Sequence, residues 1–201
     1  MKEFNVVLAG VGGQGTILAA EVLGTAAVID GLNVRVSEIH GMAQRGGAVV
    51  STVRIGENVR VPTVLEGQAD VLLGFEPLET VRNLRYASER TLVVMSSEQI
   101  PPTELSAKNL KYPSMDDVKA KIQRFTRRIV VVDAARLAEE AGSSLAQNSV
   151  MVGALAAVKV FPVKVGSLVE ALKQLVPSKH VDTNVKAFDL GYEAVRKEKE
   201  Y

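Results

Sequence analysis

The sequence predicts an α/β fold with a doubly wound, mainly parallel sheet, a β-hairpin insertion and a helical C-terminal part. Three observations carry this prediction. Residues 6–9 form a continuous apolar run, which is typical of a parallel strand buried on both faces. Short apolar runs then alternate with helical patterns, as they do in doubly wound sheets. From residue 147 onward the patterns are helical only.

The length and the net charge of the chain limit the classes of protein to which it can belong. The 201 residues suffice for one α/β domain with a substantial core, so we expect residues 1–201 to form a single domain. Lys and Arg total 24 against 23 Asp and Glu, a net charge of +1 that gives no reason to expect nucleic acid as a partner. No apolar stretch has the length of a signal peptide or a membrane span, so we expect a cytoplasmic protein without a membrane partner.

The residue types present also limit the chemistry. Cysteine is absent, which excludes disulfides, thiol nucleophiles and cysteine-ligated iron–sulfur or zinc sites from this chain. The two histidines, His40 and His180, lie far apart in sequence, so no metal site is expected. There is no G-x-S-x-G elbow. The carboxylate pairs at residues 116–117 and 139–140 are expected to lie on solvated helix surfaces.

The first informative stretch is FNVVLAGVGGQGT, residues 4–16, where a strand pattern breaks into glycines and then into a helical pattern. Glycines at G-x-G-x-x-G spacing let backbone amides approach an anion closely at a helix N-terminus. We therefore predict a Rossmann-like anion-binding loop made by Gly10, Gly12, Gly13, Gln14, Gly15 and Thr16. Thr16 stands where a Walker A loop needs its lysine, which disfavours nucleotide hydrolysis. A tight turn that binds nothing is the alternative.

The next elements lead to a second informative stretch. The predicted elements are a helix over 16–30, a strand over 33–39, a strand over 48–55 and a return strand beginning at 59–61. The helix has so few polar positions that it must be covered on more than one side. The two strands from residue 48 onward predict the β-hairpin.

Between the second and third predicted strands lies HGMAQRGG, residues 40–47, which is a poor helix and a poor strand. It is expected to be a loop at the carboxyl edge of the sheet, where ligands bind in open parallel sheets. His40 is suited to donate a hydrogen bond or a proton to a ligand there, and Arg45 to pair bidentately with a carboxylate or phosphate. A purely structural loop with a solvated arginine is an equally good interpretation.

The remaining elements continue the β-then-α rhythm. They are strands over 70–75, 91–95 and 129–132, helices over 77–86, 115–125 and up to 141, and, after residue 147, helical stretches over 150–158, 167–175 and 184–199. Pro77 suits a first helical turn, Ser114 suits a helix cap, and either Asp182 or Thr183 suits the cap of the last helix. Residues 99–113, which contain adjacent prolines, are predicted to cross the surface. Small residues near Gly153 favour close helix packing.

Three stretches taken together resemble the small, γ-type subunit of the 2-oxoacid:ferredoxin oxidoreductases. They are GVGGQGT at 10–16, SEIHGMAQRGGAVVSTVRIG at 37–56 and ADVLLGFEPLE at 69–79. The resemblance extends to the helix near Asn148 and to NVKAFDLGYEAV at 184–195. The form HGMAQRGG is similar to the β subunit of the indolepyruvate enzymes, whereas pyruvate- and oxoglutarate-type members carry a tyrosine-glycine-proline-glutamate variant before the arginine and double glycine.

The resemblance implies an oxidoreductase complex that oxidatively decarboxylates an aryl pyruvate with coenzyme A and ferredoxin, giving an acyl-CoA, carbon dioxide and reduced ferredoxin. It places thiamine diphosphate and the iron–sulfur clusters on a larger partner subunit, and it implies that this chain helps to bind coenzyme A. The amides of Gly12, Gly13, Gln14 and Gly15 would then face its phosphates. The junction with the partner would be lined by a loop of His40, Gly41, Met42, Gln44, Arg45, Gly46 and Gly47.

Two other functions stay open from the residues. A free-standing NAD(P)-binding Rossmann enzyme is one, because Glu38 lies near the end of the second strand, where an acid binds a ribose hydroxyl. A non-catalytic adaptor that only holds a partner through its apolar helices is the other. In isolation the chain is expected to be able to form a homodimer through the same surface.

Overall fold

In the computed structural model, which describes residues 3–40, 46–102, 111–158 and 160–197, the chain folds around one mixed sheet. Its strands are β1 (Phe4–Val11), β2 (Val34–His40), β3 (Ala48–Ile55), β4 (Val71–Gly74), β5 (Leu92–Ser96) and β6 (Ile129–Val132), in the order β2-β3-β1-β4-β5-β6. The strands from β1 through β4 and β5 to β6 pair in parallel, whereas β3 runs in the opposite direction and pairs antiparallel with both β2 and β1. The predicted doubly wound, mainly parallel architecture is confirmed.

Helices cover both faces of this sheet. They are α1 (Thr16–Ile29), α2 (Pro77–Arg82), α3 (Met115–Ile122), α4 (Ala134–Ala141), α5 (Gln147–Ala156), α6 (Val165–Leu175) and α7 (Val181–Arg196). One core cluster joins the sheet to α1 and to α4 through α7, and the other joins the opposite face to α3 and to the chain around α2. The predicted helical C-terminal part is therefore the cover of one whole face. Within the described ranges, no helix is both long and apolar enough to cross a membrane.

The antiparallel strand β3 corrects one element of the predicted hairpin. A return strand at residues 59–61 is wrong, because β3 already pairs with β2 on one edge and with β1 on the other. Residues 61–63 instead lie over β3, and their carbonyl oxygens accept hydrogen bonds from its side chains. Arg54 donates to Val61 and Thr63, and Thr52 donates to Pro62. The antiparallel partner that precedes β3 in the chain is β2.

Two predictions about helix caps had different outcomes. Ser114 caps α3 as predicted, with a reciprocal capping box to Asp117. The last helix, in contrast, begins at Val181, so neither Asp182 nor Thr183 caps it. A short 3-10 turn, Ser178–His180, leads directly into that helix and makes His180 its first flanking residue. The turn follows Pro177, which has no backbone N–H and therefore cannot donate a hydrogen bond that would extend the preceding helix.

Helices α5 and α7 pack with their backbones almost in contact. A Cβ atom on Gly153 of α5 would lie 2.0 Å from the carbonyl oxygen of Phe188, and one on Gly191 of α7 would lie 2.0 Å from that of Val150. Neither position has room for a side chain. The small residues of this region therefore serve the close helix packing that the sequence predicts.

Helix α1 is covered on two sides, as its narrow polar stripe predicts. Its core residues pack against the sheet and against α6, which begins more than a hundred residues later. Asp30, the residue after α1, fastens the two helices together. Its carboxylate, only 6% exposed, accepts hydrogen bonds from the Lys164 amide at 2.7 Å and from the Ser167 hydroxyl at 2.6 Å.

Because of these contacts, the stability of the fold should depend on the ionisation of the Asp30 carboxyl. Burial by itself would raise the pKa of the Asp30 carboxyl, but the hydrogen bonds from Lys164 and Ser167 and the Lys164 charge outweigh it, so the pKa lies below its ordinary value of 3.8. We expect Asp30→Asn to lower the free energy of unfolding at pH 7 by about 1–3 kcal/mol, because an amide NH₂ then faces a donor.

The destabilisation caused by Asp30→Asn should depend on pH. A carboxyl with a lowered folded pKa stabilises the fold above its unfolded pKa and loses that stabilisation as the pH falls through the folded value. In urea titrations, the gap between wild type and Asp30→Asn is therefore expected to narrow below pH 3.8. Asp116→Asn, at an exposed first-turn position of α3, is the control. A gap for Asp30→Asn that does not change with pH would contradict this role.

Candidate functional site

The glycine-rich turn between β1 and α1 leaves the start of that helix open. Gly13 has φ 106° and Gly15 has φ 73°, so both adopt the left-handed conformation that favours glycine. Gly15 is the N-cap of α1, and no side chain of the described residues caps this helix. The free amides of the first turn and the positive end of the helix dipole therefore face the carboxyl edge of the sheet. This geometry suits an anion.

Hydrogen bonds within the fold decide which of the predicted amides remain for a ligand. The Gly12 amide donates to the Gly47 carbonyl at 2.8 Å, and the Gln14 amide donates to the Val11 carbonyl at 3.1 Å. In the part of the chain that the structure describes, the amides of Gly13 and Gly15 have no acceptor. The structure thus narrows the predicted set of four amides to these two, together with the first turn of α1.

Gln14 holds the loop to the neighbouring strand through its side chain. Its Oε1 accepts from the Val11 amide at 2.8 Å, and its Nε2 donates to the Phe75 carbonyl at 2.9 Å, directly after β4. Both ends of the side-chain amide are therefore used inside the protein. Gln14 therefore shapes the loop, and one N–H of its side-chain amide is left over beside the cavity that Gln14 lines.

We expect Gln14→Glu to destabilise the protein and distort the loop. The carboxylate oxygen that replaces Nε2 would face the Phe75 carbonyl and would cost about 1–3 kcal/mol in the free energy of unfolding. For a chain of this size the melting temperature should then fall by about 2–12 °C, measurable by circular dichroism. Gln123→Glu, at an exposed position after α3, makes the same chemical change and should leave the melting temperature nearly unchanged. Equal effects of the two substitutions would show that the Gln14 bridge is unimportant.

Gly10 and Thr16 form the base of the loop. A Cβ atom on Gly10 would lie 2.7 Å from Thr16 Oγ1 and 2.9 Å from the Cβ of Phe75, so only glycine fits. Thr16 is 3% exposed, and its hydroxyl oxygen has no hydrogen-bond partner among the described residues. The Thr16 side chain therefore lies beneath the loop, and its hydroxyl is not satisfied by the fold.

The two glycine-rich stretches singled out in the sequence meet in space. Besides the bond from Gly12 to Gly47, the Gly46 amide donates to the Gly12 carbonyl at 3.4 Å. The described backbone of His40 ends β2. The predicted junction residues Gly41, Met42, Gln44 and Arg45 lie outside the described residues. The described end of the junction loop is thus attached to the predicted anion-binding loop.

An open cavity of about 330 Å³ adjoins the loop at the carboxyl edge of the sheet. It is lined by Val11, Gly12, Gly13, Gln14, Gly46, Glu98, Ile100, Ser144, Leu145 and Gln147. Glu98 follows β5, and its carboxylate accepts a hydrogen bond from Gln147 Nε2 at 3.1 Å. The sequence reasoning missed both residues. The position of Glu98 just after a parallel strand is a signal that could have found it, whereas Gln147 carries no comparable signal.

A buried acidic cluster supports the far wall of this cavity. The Glu76 side chain, 1% exposed, accepts from the Tyr112 hydroxyl and from the amides of Ile100 and Glu79. Burial, reinforced by the hydrogen bond to Glu76, raises the pKa of the Tyr112 phenol well above its usual range, so Tyr112 remains a donor. Burial also raises the pKa of Glu79, partly offset by Arg82. Through these hydrogen bonds, Glu76 holds Ile100 and Tyr112 close to the carboxyl end of β4.

Other candidate chemistry from the sequence is placed away from this site. Asp117 belongs to the capping box of α3, and Glu140 pairs with Arg136 on the surface of α4. The described residues contain no group of three or more histidines and acids able to hold a metal ion. Glu38 lies on β2, which β3 separates from β1, so it is about 10 Å from the glycine-loop strand, or two strand spacings. At that distance, Glu38 is poorly placed to bind the ribose of a dinucleotide whose phosphates lie at the glycine loop.

Comparison with known proteins gives one consistent family. Residues 5–194 match the model of the family described as pyruvate ferredoxin/flavodoxin oxidoreductase. The chain is 43% identical to the indolepyruvate oxidoreductase subunit IorB of Pyrococcus horikoshii, with 98% of each chain covered. It is 42% identical to the subunit of the same name from Archaeoglobus fulgidus, covering 94% of this chain and 93% of that one.

Solved structures share the fold at lower identity. The γ subunit of a keto/oxoacid ferredoxin oxidoreductase from Geobacter sulfurreducens superposes with a TM-score of 0.69 at 24% identity, covering 96% of this chain and 98% of that chain. A 2-oxoglutarate:ferredoxin oxidoreductase from Magnetococcus marinus, with 2-oxoglutarate, coenzyme A and succinyl-CoA bound, gives a TM-score of 0.75 at 20% identity. The match covers all of this chain and 32% of that longer one.

Proposed function

Since the chain belongs to the pyruvate ferredoxin/flavodoxin oxidoreductase family, we propose that it is the non-thiamine subunit of an indolepyruvate-type 2-oxoacid:ferredoxin oxidoreductase. The complex would convert an aryl pyruvate and coenzyme A into an aryl-acetyl-CoA and carbon dioxide, and the electrons released would pass to ferredoxin. One observation carries this proposal: identity of 39–43% over nearly the full length to indolepyruvate oxidoreductase subunits from several archaea.

The partner in this proposal is a larger cytoplasmic subunit that holds thiamine diphosphate and the iron–sulfur clusters. Thiamine diphosphate would supply the carbanion chemistry of decarboxylation. This chain has no cysteine with which to ligate a cluster, so the redox centres are assigned to the other subunit. The present chain would contribute a binding surface at the carboxyl edge of its sheet.

Coenzyme A is the substrate that this chain is proposed to bind. Its phosphates carry the negative charge that the open N-terminus of α1 attracts. The amides of Gly13 and Gly15 are positioned to donate to such an oxyanion. The Magnetococcus marinus oxidoreductase, whose fold this chain shares, has coenzyme A bound, which supports the proposal. The junction loop, joined to Gly12 through Gly46 and Gly47, would lie between this site and the partner subunit.

The proposal is tested by reconstitution. The chain is co-expressed with the larger subunit from the same source, and ferredoxin reduction dependent on indolepyruvate and coenzyme A is assayed anaerobically. We expect activity only when both subunits are present, and faster turnover with indolepyruvate than with pyruvate. Full activity from the larger subunit alone would overturn the proposal. Tight binding of NAD(P) by the isolated chain would instead favour a free-standing dehydrogenase.

A further inference from the structure

A second cavity, of about 240 Å³, opens on the other side of Gly13 and Leu145 from the first. It lies between the start of α1 and the C-terminal helices, and its lining includes Gly15, Asn148 and His180. Its volume is about eight times the ~30 Å³ that one water molecule occupies in the liquid, which is ample for a phosphate group. The predicted anion-binding loop therefore faces two cavities, and Gly13 lines both.

Asn148 is the unusual side chain of this second cavity. It is the second residue of α5 and is only 5% exposed. Among the residues that the structure describes, its side-chain amide has no hydrogen-bond partner. Among the described residues, the fully buried side-chain atoms without a partner are Thr16 Oγ1 and Ser51 Oγ, so the Asn148 amide is not sealed in the core and reaches the cavity. The fold therefore leaves a donor and an acceptor unused inside the cavity.

A second asparagine in the same cavity provides the contrast. The Asn184 Oδ1 accepts from the Ser149 hydroxyl at 2.6 Å, and the Asn184 Nδ2 donates to the His180 carbonyl at 2.8 Å. Asn184 is thus satisfied within the protein and holds the start of α7. No described residue holds the Asn148 amide by a hydrogen bond in this way.

The position of Asn148 shows what it faces. A Cβ atom added to Gly15 would lie 2.8 Å from Asn148 Nδ2, which is the nearest side-chain atom to that point. The amide nitrogen is thus packed against the N-cap of α1, beside the free Gly15 amide. Gly13, Gly15 and Asn148 all line this cavity, so it has donors from the loop backbone and from a side chain in its wall. An acceptor with several negatively charged oxygens suits such a set best.

We propose that a phosphate group of coenzyme A occupies this Asn148 cavity and that Asn148 Nδ2 donates a hydrogen bond to it, together with the amides of Gly13 and Gly15. The inference rests on the proposed function, and it adds a binding residue from the C-terminal helical part. Glycine is then required at position 15 for two separate reasons. It provides the left-handed N-cap, and it leaves the space in which Asn148 reaches the loop.

The test measures binding to the isolated full chain, so that it does not depend on enzyme activity. Nuclear magnetic resonance spectra of the ¹⁵N-labelled protein are recorded with coenzyme A, with inorganic pyrophosphate and with pantetheine, which has the thiol arm but no phosphate. We expect the backbone amides of Gly13 and Gly15 and the side-chain NH₂ of Asn148 to shift with the first two compounds only. Shifts of the same size with pantetheine, or no shift of the Asn148 NH₂, would overturn the inference.

Substitutions complete the test. Asn148→Asp keeps the shape but places a carboxylate beside the anion, and it should weaken binding of coenzyme A at least about tenfold. Asn148→Ser, which is neutral, should also weaken binding and serves if the aspartate variant does not fold. Asn58→Asp makes the same charge change in an exposed turn and should bind like wild type. Wild-type affinity of folded Asn148→Asp and Asn148→Ser would exclude Asn148 from the site, even if reconstituted activity still required the chain.

Discussion

Gly191→Ala is expected to lower the free energy of unfolding by about 3 kcal/mol or more, near the upper end of the range for overpacked cores. The added methyl group would lie 2.0 Å from the Val150 carbonyl oxygen, which belongs to a helix backbone and cannot move aside alone. Helices α5 and α7 would have to separate along their whole contact. In a chain of this size, the melting temperature should fall by about 6–12 °C.

Gly166→Ala is the matched control. Gly166 also lies in a C-terminal helix, α6, but a Cβ atom there would have no described atom within 4 Å. Alanine should be neutral or stabilise the protein by about 0.5–1 kcal/mol, since glycine is a poor helix former. Thermal melts of the two variants should therefore shift in opposite directions or differ by many degrees. Equal shifts would mean that the α5–α7 contact tolerates separation.

Gly13→Asp should abolish most of the affinity of the reconstituted enzyme for coenzyme A while leaving the fold intact. No atom of the described residues lies within 4 Å of a Cβ added at Gly13, so none of these neighbours is displaced. The carboxylate would stand at the anion site, and the backbone amide would leave its left-handed conformation at some cost. We expect the KM for coenzyme A to rise about 100-fold, equivalent to about 2.7 kcal/mol.

Gly31→Asp is the control for the added negative charge and for the strain of placing a side chain at a positive φ. Gly31 is also exposed, has φ 72° and has open space around it, but it follows the opposite end of α1. Its KM for coenzyme A should equal that of wild type, and both variants should show the same loss of stability within about 1 kcal/mol. If Gly13→Asp and Gly31→Asp have the same KM, the glycine loop is not part of the coenzyme A site.

Local sequence patterns were sufficient for most of the architecture. The first strand, the turn and α1 follow from an apolar run, glycine spacing and a helical period, and all three occur where predicted. The return strand at 59–61 failed for a reason that is not local. Its residues have an acceptable strand pattern, but both edges of β3 are occupied by β1 and β2. Which strands pair is decided by the whole sheet, and the pattern of one segment does not contain that information.

The candidate site could be proposed from the sequence only where it consists of contiguous residues. The glycine loop and the stretch ending at Gly47 each have a recognisable composition, and they meet through the Gly12 hydrogen bonds. Asn148 becomes notable only because it is buried, has no hydrogen-bond partner among the described residues and packs on Gly15, more than a hundred residues earlier in the chain. Neither burial nor the absence of a partner can be read from one asparagine at the start of a helical pattern. Its assignment as a ligand residue stays a proposal.

The cover of α1 by α6 also has a consequence for synthesis of the protein. Asp30 finds its partners Lys164 and Ser167 only after 134 and 137 further residues have been added. At ribosomal rates of about 5–20 residues per second, one apolar side of α1 stays without its native cover for on the order of 10 s. During that time the nascent chain exposes the kind of surface that chaperones bind. The N-terminal half, which carries the glycine loop, therefore reaches its final form only when the C-terminal helices have been made.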